Sequence, residues 1–411
     1  MTSVVDIKHS ALQKPSPTKW VPLAGADWRV LDIVRAAPGA FFSSQRAVLR
    51  LEEYLAGILG VSVLATEVGR TAIRFGLTAL GLGRGEGVLV PAMVCPTVIS
   101  AILNAGCRPV FADVAEGEIT VSAESLLPFF TPEVRAVLVP HLYCLSAPMV
   151  DIENFCKAKG VFLIDDAAQS FGLRYQGQYL GTFGDVGILS FGPFKGIASL
   201  RGGALVSRSP GLIEKARIQL VHKEKAYAPF RRCISGYFKY FRRRHFLEKK
   251  RENTKSGKTP RGPKESVPAY AGGYSLTGFD AALTRLTILR HAEILQARSL
   301  TAEKVFQSLS DTGLFGFIGA PDLPYVKIPV RLQRGHDAKE VVALLRELKI
   351  DAERIYRPAH LGSSFQQYAA HSLPNAEKCH REIILLPNPY TQGEDAVARM
   401  AQAVQSLSRH L

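Results

Sequence analysis

The sequence predicts an α/β protein with a large domain built on a mainly parallel sheet and a smaller C-terminal α/β domain. Three observations carry this. From residue 70 onward, short β-rich apolar runs alternate with apolar helical patterns, and such alternation with short connections implies parallel strands covered by helices on both faces. The chain has 411 residues, more than one ordinary domain and enough to bury a large core. Hydrophobic residues make up 47% and charged residues 21%, which excludes disordered, collagen-like and coiled-coil chains.

Along the chain, Thr71 to Leu82 reads as helical, Val88 to Val90 as extended, Thr97 to Ala105 as helical, and Pro109 to Ala112 and Ala136 to Pro140 as extended. Ile152 to Lys159 is helical in pattern and Val161 to Ile164 extended. The stretch Gly87 to Cys107 carries no charge, but Pro91 and Pro96 divide it into a strand and a buried helix, which excludes a membrane span. Val186 to Phe191 and Gly203 to Val206 are two short strands around a loop that holds Lys195, and Gly211 to Val221 is helical. A helical pattern from Thr277 to Leu309 leads to the strand-like Tyr325 to Val330, the helical Ala338 to Leu348, the strand-like Ile383 to Leu386 and a last helix from Asp395 to Leu407. This divides the chain into an N-terminal arm (1–45), a large domain (46–275) and a small C-terminal domain (276–411). Gly81-Leu-Gly-Arg-Gly85 follows a helix and precedes a strand, the reverse of a dinucleotide fingerprint, and is a loop.

The formal net charge is +15. Between His222 and Glu265, 15 Lys/Arg against 4 Asp/Glu concentrate +11 of it, so a nearly neutral body carries one basic insertion, 222–265. A nucleic-acid-binding fold would spread positive charge over its working face. Within the block, Tyr237 to Phe246 interleaves aromatic residues with cations, a pattern that suits a solvated cover over the active site, an anionic nucleotide sugar or weak contact with a membrane surface. The six cysteines show no C-x-x-C pair and no zinc-like spacing, so no metal site is expected and the thiols read as reduced. Met1 to Lys19 has no apolar core, so a cytoplasmic location is the expectation.

The most informative residues lie in Phe162-Leu-Ile-Asp-Asp-Ala-Ala-Gln-Ser-Phe-Gly172 and Gly184-Asp-Val-Gly-Ile-Leu-Ser-Phe-Gly-Pro-Phe-Lys195. One strand ends in Asp165 and Asp166 with Gln169 just beyond; a second ends in Ser190 and delivers Lys195. Acid, amide, hydroxyl and lysine then converge at the carboxyl edge of the sheet, where ligands of such folds bind. A lysine able to form an imine, and a buried carboxylate able to keep a ring nitrogen protonated, are the groups that an aldehyde cofactor such as pyridoxal phosphate needs. Its phosphate needs a helix start and a hydroxyl, and Val68-Gly-Arg-Thr71 opens the first helix of the sheet domain. Of the two acids, Asp166 is preferred for the ring and Asp165 reads as a solvated or loop-capping acid.

These segments, with Val90-Pro-Ala92, Pro109-Val-Phe-Ala-Asp113, Pro140-His-Leu-Tyr143 and Gly202-Gly-Ala-Leu-Val206, resemble the DegT/DnrJ/StrS-type sugar aminotransferases over roughly residues 40 to 410. The resemblance implies a pyridoxal-phosphate-dependent transferase of fold type I, the aspartate-aminotransferase-like fold. It implies Lys195 as the catalytic imine lysine and proton carrier, Asp166 on the pyridinium nitrogen and Gln169 on the phenolic oxygen. Ser190 and the backbone around Gly69, Arg70 and Thr71 hold the phosphate, and His141 and His360 are substrate-side candidates. Tyr356-Arg-Pro-Ala-His360 and Leu385-Leu-Pro-Asn-Pro389 look like the family's substrate-side segments. The implied reaction moves an amino group from an amino acid, glutamate, to a nucleotide-linked keto sugar in a homodimer, for amino-sugar or surface-polysaccharide synthesis. Alternatives are a pyridoxal-phosphate-dependent sugar dehydratase, against which the retained Lys195 argues, and a non-catalytic relative recruited to membranes by residues 222–265.

The chain also departs from the family's pattern. Cys95 stands in the cofactor site where many members stack an aromatic ring. Leu200-Arg-Gly-Gly203 replaces Gly-Glu-Gly-Gly. Gly273-Tyr-Ser-Leu276 replaces a segment whose asparagine reaches the partner subunit's phosphate.

Overall fold

The structure, a computed structural model, describes residues 20–23, 25–41, 44–221, 273–333 and 335–411. The basic block 222–265, with the three uses its pattern suits, lies outside the described residues, as does much of the expected arm 1–45. The chain forms two compact units, one of residues 25–296 and 356–380, the other of residues 1–24, 297–355 and 381–411.

Among the described residues the larger unit holds nine strands, β1 (Ser62–Thr66), β2 (Gly87–Pro91), β3 (Arg108–Ala112), β4 (Val134–Pro140), β5 (Phe162–Asp166), β6 (Arg174–Tyr175), β7 (Gln178–Tyr179), β8 (Val186–Ser190) and β9 (Gly203–Ser207). Seven of them form one sheet in the order β1-β9-β8-β5-β4-β2-β3, and β6 and β7 form a separate hairpin. From β3 to β8 the sheet is parallel, while β9 runs antiparallel to both β8 and β1. The inner strands β2, β8 and β9 are buried along their whole length, as expected of a sheet covered on both faces. Register aligns Pro140 with Asp166 and Asp166 with Ile188, so the carboxyl ends of β4, β5 and β8 finish at one edge.

Local chemistry sets the covering helices. Pro96 occupies the first turn of the helix Pro96–Asn104 after an extended Cys95, where its missing N–H costs nothing. The helix Met149–Lys159 stops at Gly160, whose φ of 67° closes a left-handed cap beside Lys157 and Lys159. The helix Gly69–Ala79 lies on β8 and β9 through Gly76, where a Cβ would come within 3.0 Å of Leu205. The Gly81 to Gly85 segment is a loop with positive φ at both ends, as its position in the sequence implies.

Two features differ from the sequence-based expectation. The pattern from Thr277 to Leu309 is two helices, Gly278–Ile288 and His291–Leu309. The break is held by tertiary bonds, Arg290 Nη2 donating to Asp27 O at 2.9 Å and to Asp32 Oδ2 at 2.6 Å, and by a local one, His291 Nδ1 meeting the Ile288 carbonyl at 2.9 Å. The helix Ser44–Leu59 precedes the first expected element and buries Leu51 and Leu55. At the flanks of the undescribed segment, Val221 N–H donates to Gly273 O at 2.7 Å, so the chain leaves and returns at one place.

The smaller unit holds an antiparallel sheet of β10 (Phe315–Phe317), β11 (Lys327–Leu332), β12 (Glu353–Arg354) and β13 (Ile383–Pro387) in the order β10-β11-β13-β12. Its helix Ala338–Glu347 starts on Asp337, whose carboxylate accepts from Lys339 N–H and Glu340 N–H. Val21 pairs with Ile350 and ties the first described residues to this unit.

Gly187 in β8 and Gly57 in the helix Ser44–Leu59 make opposite predictions. A Cβ on Gly187 would fall 1.7 Å from Gly181 O, whereas one on Gly57 would meet nothing within 4 Å. Gly187→Ala is expected to destabilise by about 1–3 kcal/mol or more, and Gly57→Ala to stabilise by about 0.5–1 kcal/mol through helix propensity. Thermal unfolding of the two variants against the parent checks both signs.

Candidate active site

Consecutive side chains of a strand leave on opposite faces, so the two acids ending β5 meet different surroundings. Asp165 is fully buried. Its Oδ2 accepts the N–H groups of Gly181 at 2.6 Å and Phe183 at 3.0 Å, and its Oδ1 lies 2.8 Å from His141 Nε2. It is therefore not a solvated acid; it fastens the loop before β8. Gly187 permits this, because that loop crosses directly over its Cα.

Asp166 faces a cavity of about 240 Å³ that is also lined by Gly69, Arg70, Cys95, His141, Gln169, Ser190 and Lys195. Burial pushes its carboxyl above the ordinary carboxylate range; the Lys195 charge, the Ala168 N–H and His141 draw it back, and Asp165 adds to the rise. Ala168 N–H donates to Oδ1 at 3.0 Å. A desolvated acid of this kind gains most from a cation brought against it inside the cavity.

Lys195 reaches the cavity from a loop held at both ends. Phe194 has a left-handed φ of 65°, and a Cβ on Gly196 would sit 2.9 Å from Phe171 N and 3.3 Å from Gln169 C. Farther on, Ala198 N–H donates to Asp27 Oδ2 at 2.6 Å and Ser199 N–H to Phe191 O at 2.8 Å. Gln169 is pinned as well, with Oε1 accepting from Tyr143 N–H at 3.0 Å and Nε2 donating to Tyr356 Oη at 3.1 Å.

The same cavity has the groups of an anion cradle in Gly69, Arg70 and Ser190. A Cβ on Gly69 would lie 3.0 Å from Ser190 Cβ, and one on Gly203 would lie 2.5 Å from Gly69 N. Three backbones thus meet without side chains between them, and they set the Ser190 hydroxyl beside the first turn of the helix Gly69–Ala79. A helix start offers N–H groups and a positive dipole end to a phosphate.

The structure brings together Lys195, Asp166, Gln169, Ser190, Gly69, Arg70, Cys95 and His141 around this cavity. Thr71 and His360 are not among its lining residues. Thr71 is fully buried, and its N–H returns to Val68 O at 3.0 Å within the first helical turn. His360 is buried with Nε2 3.2 Å from Glu377. His141 lines the cavity with both ring nitrogens engaged, Nδ1 accepting from Ala147 N–H at 3.2 Å and Nε2 facing Asp165. Sequence reasoning assigned no role to Tyr143 or to the Tyr356 hydroxyl; a backbone N–H and a contact across 187 positions leave no local pattern.

The departures are accommodated locally. Arg201 pairs with Glu67 at 3.1 Å, and its carbonyl accepts from Thr284 Oγ1 at 3.1 Å. At Gly273 a Cβ would lie 2.8 Å from Arg74 Nη2. Cys95 caps its helix start half-buried, with Sγ 3.1 Å from Thr97 Oγ1.

A lysine, a desolvated acid and a hydroxyl beside a helix start on one cavity suit a phosphorylated ring carrying a basic nitrogen. Such groups at the carboxyl edge of a parallel sheet point to a class, the transferase folds that bind rings of this kind. Comparison with known proteins gives the family. The model of the DegT/DnrJ/EryC1/StrS aminotransferase family matches residues 29–405. Protein MosB of Rhizobium meliloti is 33% identical over 168 residues, 41% of this chain and 32% of that protein. GDP-perosamine synthase of Vibrio cholerae is 33% identical over 147 residues, 36% of this chain and 40% of that protein. The matches to these curated relatives thus span less than half of their lengths. The crystal structure of DesV from S. venezuelae superposes with a TM-score of 0.76 at 23% identity, covering 95% of this chain and 99% of that one. The chain belongs to the DegT/DnrJ/EryC1/StrS aminotransferase family, and its fold is that of the pyridoxal-phosphate-dependent transferases of fold type I.

The raised Asp166 predicts a pH dependence. Between the ordinary value of 3.8 and the raised native value, the native state holds more protons than the unfolded state, so its stability falls as pH rises through that window. Asp166→Asn removes this contribution. Without cofactor, the Asn variant is expected to gain in melting temperature over the parent as the pH is taken from about 4 to about 8; a flat difference or one of opposite sign refutes it.

Proposed function

We propose that this family member is a pyridoxal-phosphate-dependent aminotransferase that moves an amino group from an amino acid, glutamate, to a keto sugar attached to a nucleotide. The observation that carries this is the meeting of Lys195 and Asp166 on one cavity with the Ser190 cradle. Bound there, pyridoxal phosphate supplies a protonated ring able to take up the electron pair of a C–H bond broken beside an amino group. The Asp166 carboxylate would hold the proton on the ring nitrogen, and that pairing would offset the cost of burying the acid. Ser190 Oγ and the first-turn amides at Gly69 and Arg70 would hold the phosphate. The Gln169 amide would hydrogen-bond the ring's phenolic oxygen. Lys195 Nζ would anchor the cofactor and serve as the base that takes and returns the substrate proton. That the relatives include a GDP-perosamine synthase supports a nucleotide-linked sugar as acceptor. A homodimer in the cytoplasm is part of the same reading. Among the described residues no helix is long and apolar enough to cross a membrane.

Two outcomes test this reading. The purified chain is expected to show a visible absorbance band that borohydride fixes onto Lys195, that Lys195→Ala abolishes, and that glutamate bleaches until a nucleotide keto sugar restores it. A colourless protein indifferent to added cofactor supports instead a non-catalytic relative. Thiol labelling gives an independent check. Burial pushes the Cys107 and Cys156 thiols up to about 11 and about 12, whereas Cys95 is half-buried on the cavity. Iodoacetamide at about pH 8 is expected to label Cys95 ahead of both, and saturating pyridoxal phosphate to slow labelling at Cys95 alone.

A further inference from the structure

The amide of Gln169 has one orientation open to it. Tyr143 N–H can only donate, so the atom facing it at 3.0 Å is Oε1, and the group facing Tyr356 Oη at 3.1 Å is therefore Nε2. Gln169 is only 8% exposed, and a flipped amide would set N–H against N–H where little water can intervene. The backbone that aims Tyr143 N–H is itself unusual, since Tyr143 and Cys144 have φ of 55° and 67°, two successive non-glycine residues in the left-handed region. Cys144 Sγ donates to Gln169 O at 3.4 Å and holds the glutamine's backbone to the same loop. On the other side, the Tyr143 and Tyr356 rings lie 5.9 Å apart at 31°. The two tyrosines grip the amide by its oxygen and by one of its two N–H groups. Nε2 carries a second hydrogen, and Gln169 lines the same cavity as Asp166 and Lys195.

We propose that Tyr356 is a positioning residue of the active site. By accepting one Nε2 hydrogen while Tyr143 N–H occupies Oε1, it locks the Gln169 amide plane and turns the remaining N–H toward the phenolic oxygen of the bound cofactor. Tyr356 does not touch the cofactor; it acts through Gln169. The inference rests on the reading above that this cavity holds pyridoxal phosphate.

The test is a double-mutant cycle on cofactor binding. The full chain and its Tyr356→Phe, Gln169→Ala and doubly substituted forms are stripped of cofactor and titrated with pyridoxal phosphate. Dissociation constants and the pH dependence of the visible band are read from absorbance. Tyr356→Phe removes one oxygen, and an unchanged melting transition of the cofactor-free protein confirms its fold. Loss of one hydrogen bond is expected to weaken binding by about 3- to 10-fold and to shift the pH at which the band converts. In the Gln169→Ala background the same substitution should change neither quantity, because its route to the cofactor is gone. Tyr356→Phe binding as tightly as the parent, or losses that multiply in the double variant as they would for a merely structural tyrosine, overturns the proposal while leaving the cofactor reading intact. A parent chain that does not bind pyridoxal phosphate overturns both.

Discussion

The structure depends on how two adjacent carboxylates are kept buried at the end of one strand. Two bare carboxylates side by side in a low-dielectric interior would repel each other, and neither would readily stay ionised. Here Asp165 is given two backbone N–H groups and an imidazole, so its oxygens are committed to holding a loop. Asp166 has one backbone N–H and the charge of Lys195. The inequality makes one acid a fastener and leaves the other in need of a cation from the cavity.

The fastening has consequences across the sheet edge. The loop that Asp165 holds runs over Gly187 so closely that no side chain fits between them, and β8 continues from there to Ser190. Ser190 pairs with Gly203, which in turn pairs with Thr66 and abuts Gly69. A line of backbone contacts thus runs from the buried acid to the helix start, with glycine wherever two segments approach within contact of a Cβ. Such contacts fix distances without depending on rotamers, which suits a site that must hold both ends of one rigid ligand.

Much of this was legible in the sequence because it is local. The strand Phe162 to Asp166, the acid pair with Gln169 three residues on, and the delivery of Lys195 after Ser190 are written in contiguous letters, and the alternation of apolar runs announced the parallel sheet. Boundaries held to within a few residues where proline or glycine marks them, as at Pro96 and Gly160. What escaped is non-local. The break at Leu289 and Arg290 leaves the apolar period intact and is imposed by Asp27 and Asp32, some 260 positions away. His141 and His360, expected on the substrate side, have ring-nitrogen partners at Asp165, Ala147 and Glu377, which residue type alone does not foretell. Thr71, expected near the phosphate, is buried in the first helical turn.

Strain is placed as the chemistry requires. Among the described residues, five non-glycine residues have positive φ, and Tyr143, Cys144 and Phe194 are three of them. The first two aim an N–H at Gln169, and the third immediately precedes Lys195. Left-handed backbone at such residues costs of order 1 kcal/mol or more each, and a desolvated Asp166 adds to that cost at neutral pH. A fold selected for stability alone would remove both. Tyr143 and Phe194 are chain neighbours of the cavity-lining Leu142 and Lys195, so on a sheet otherwise packed with Val, Ile and Leu the stabilising burial lies in the strands and these unfavourable terms fall beside the cavity. A cation against Asp166 and an oxygen against the Gln169 amide would offset the cost of burying those groups, so a ligand that supplies both should stabilise the folded chain.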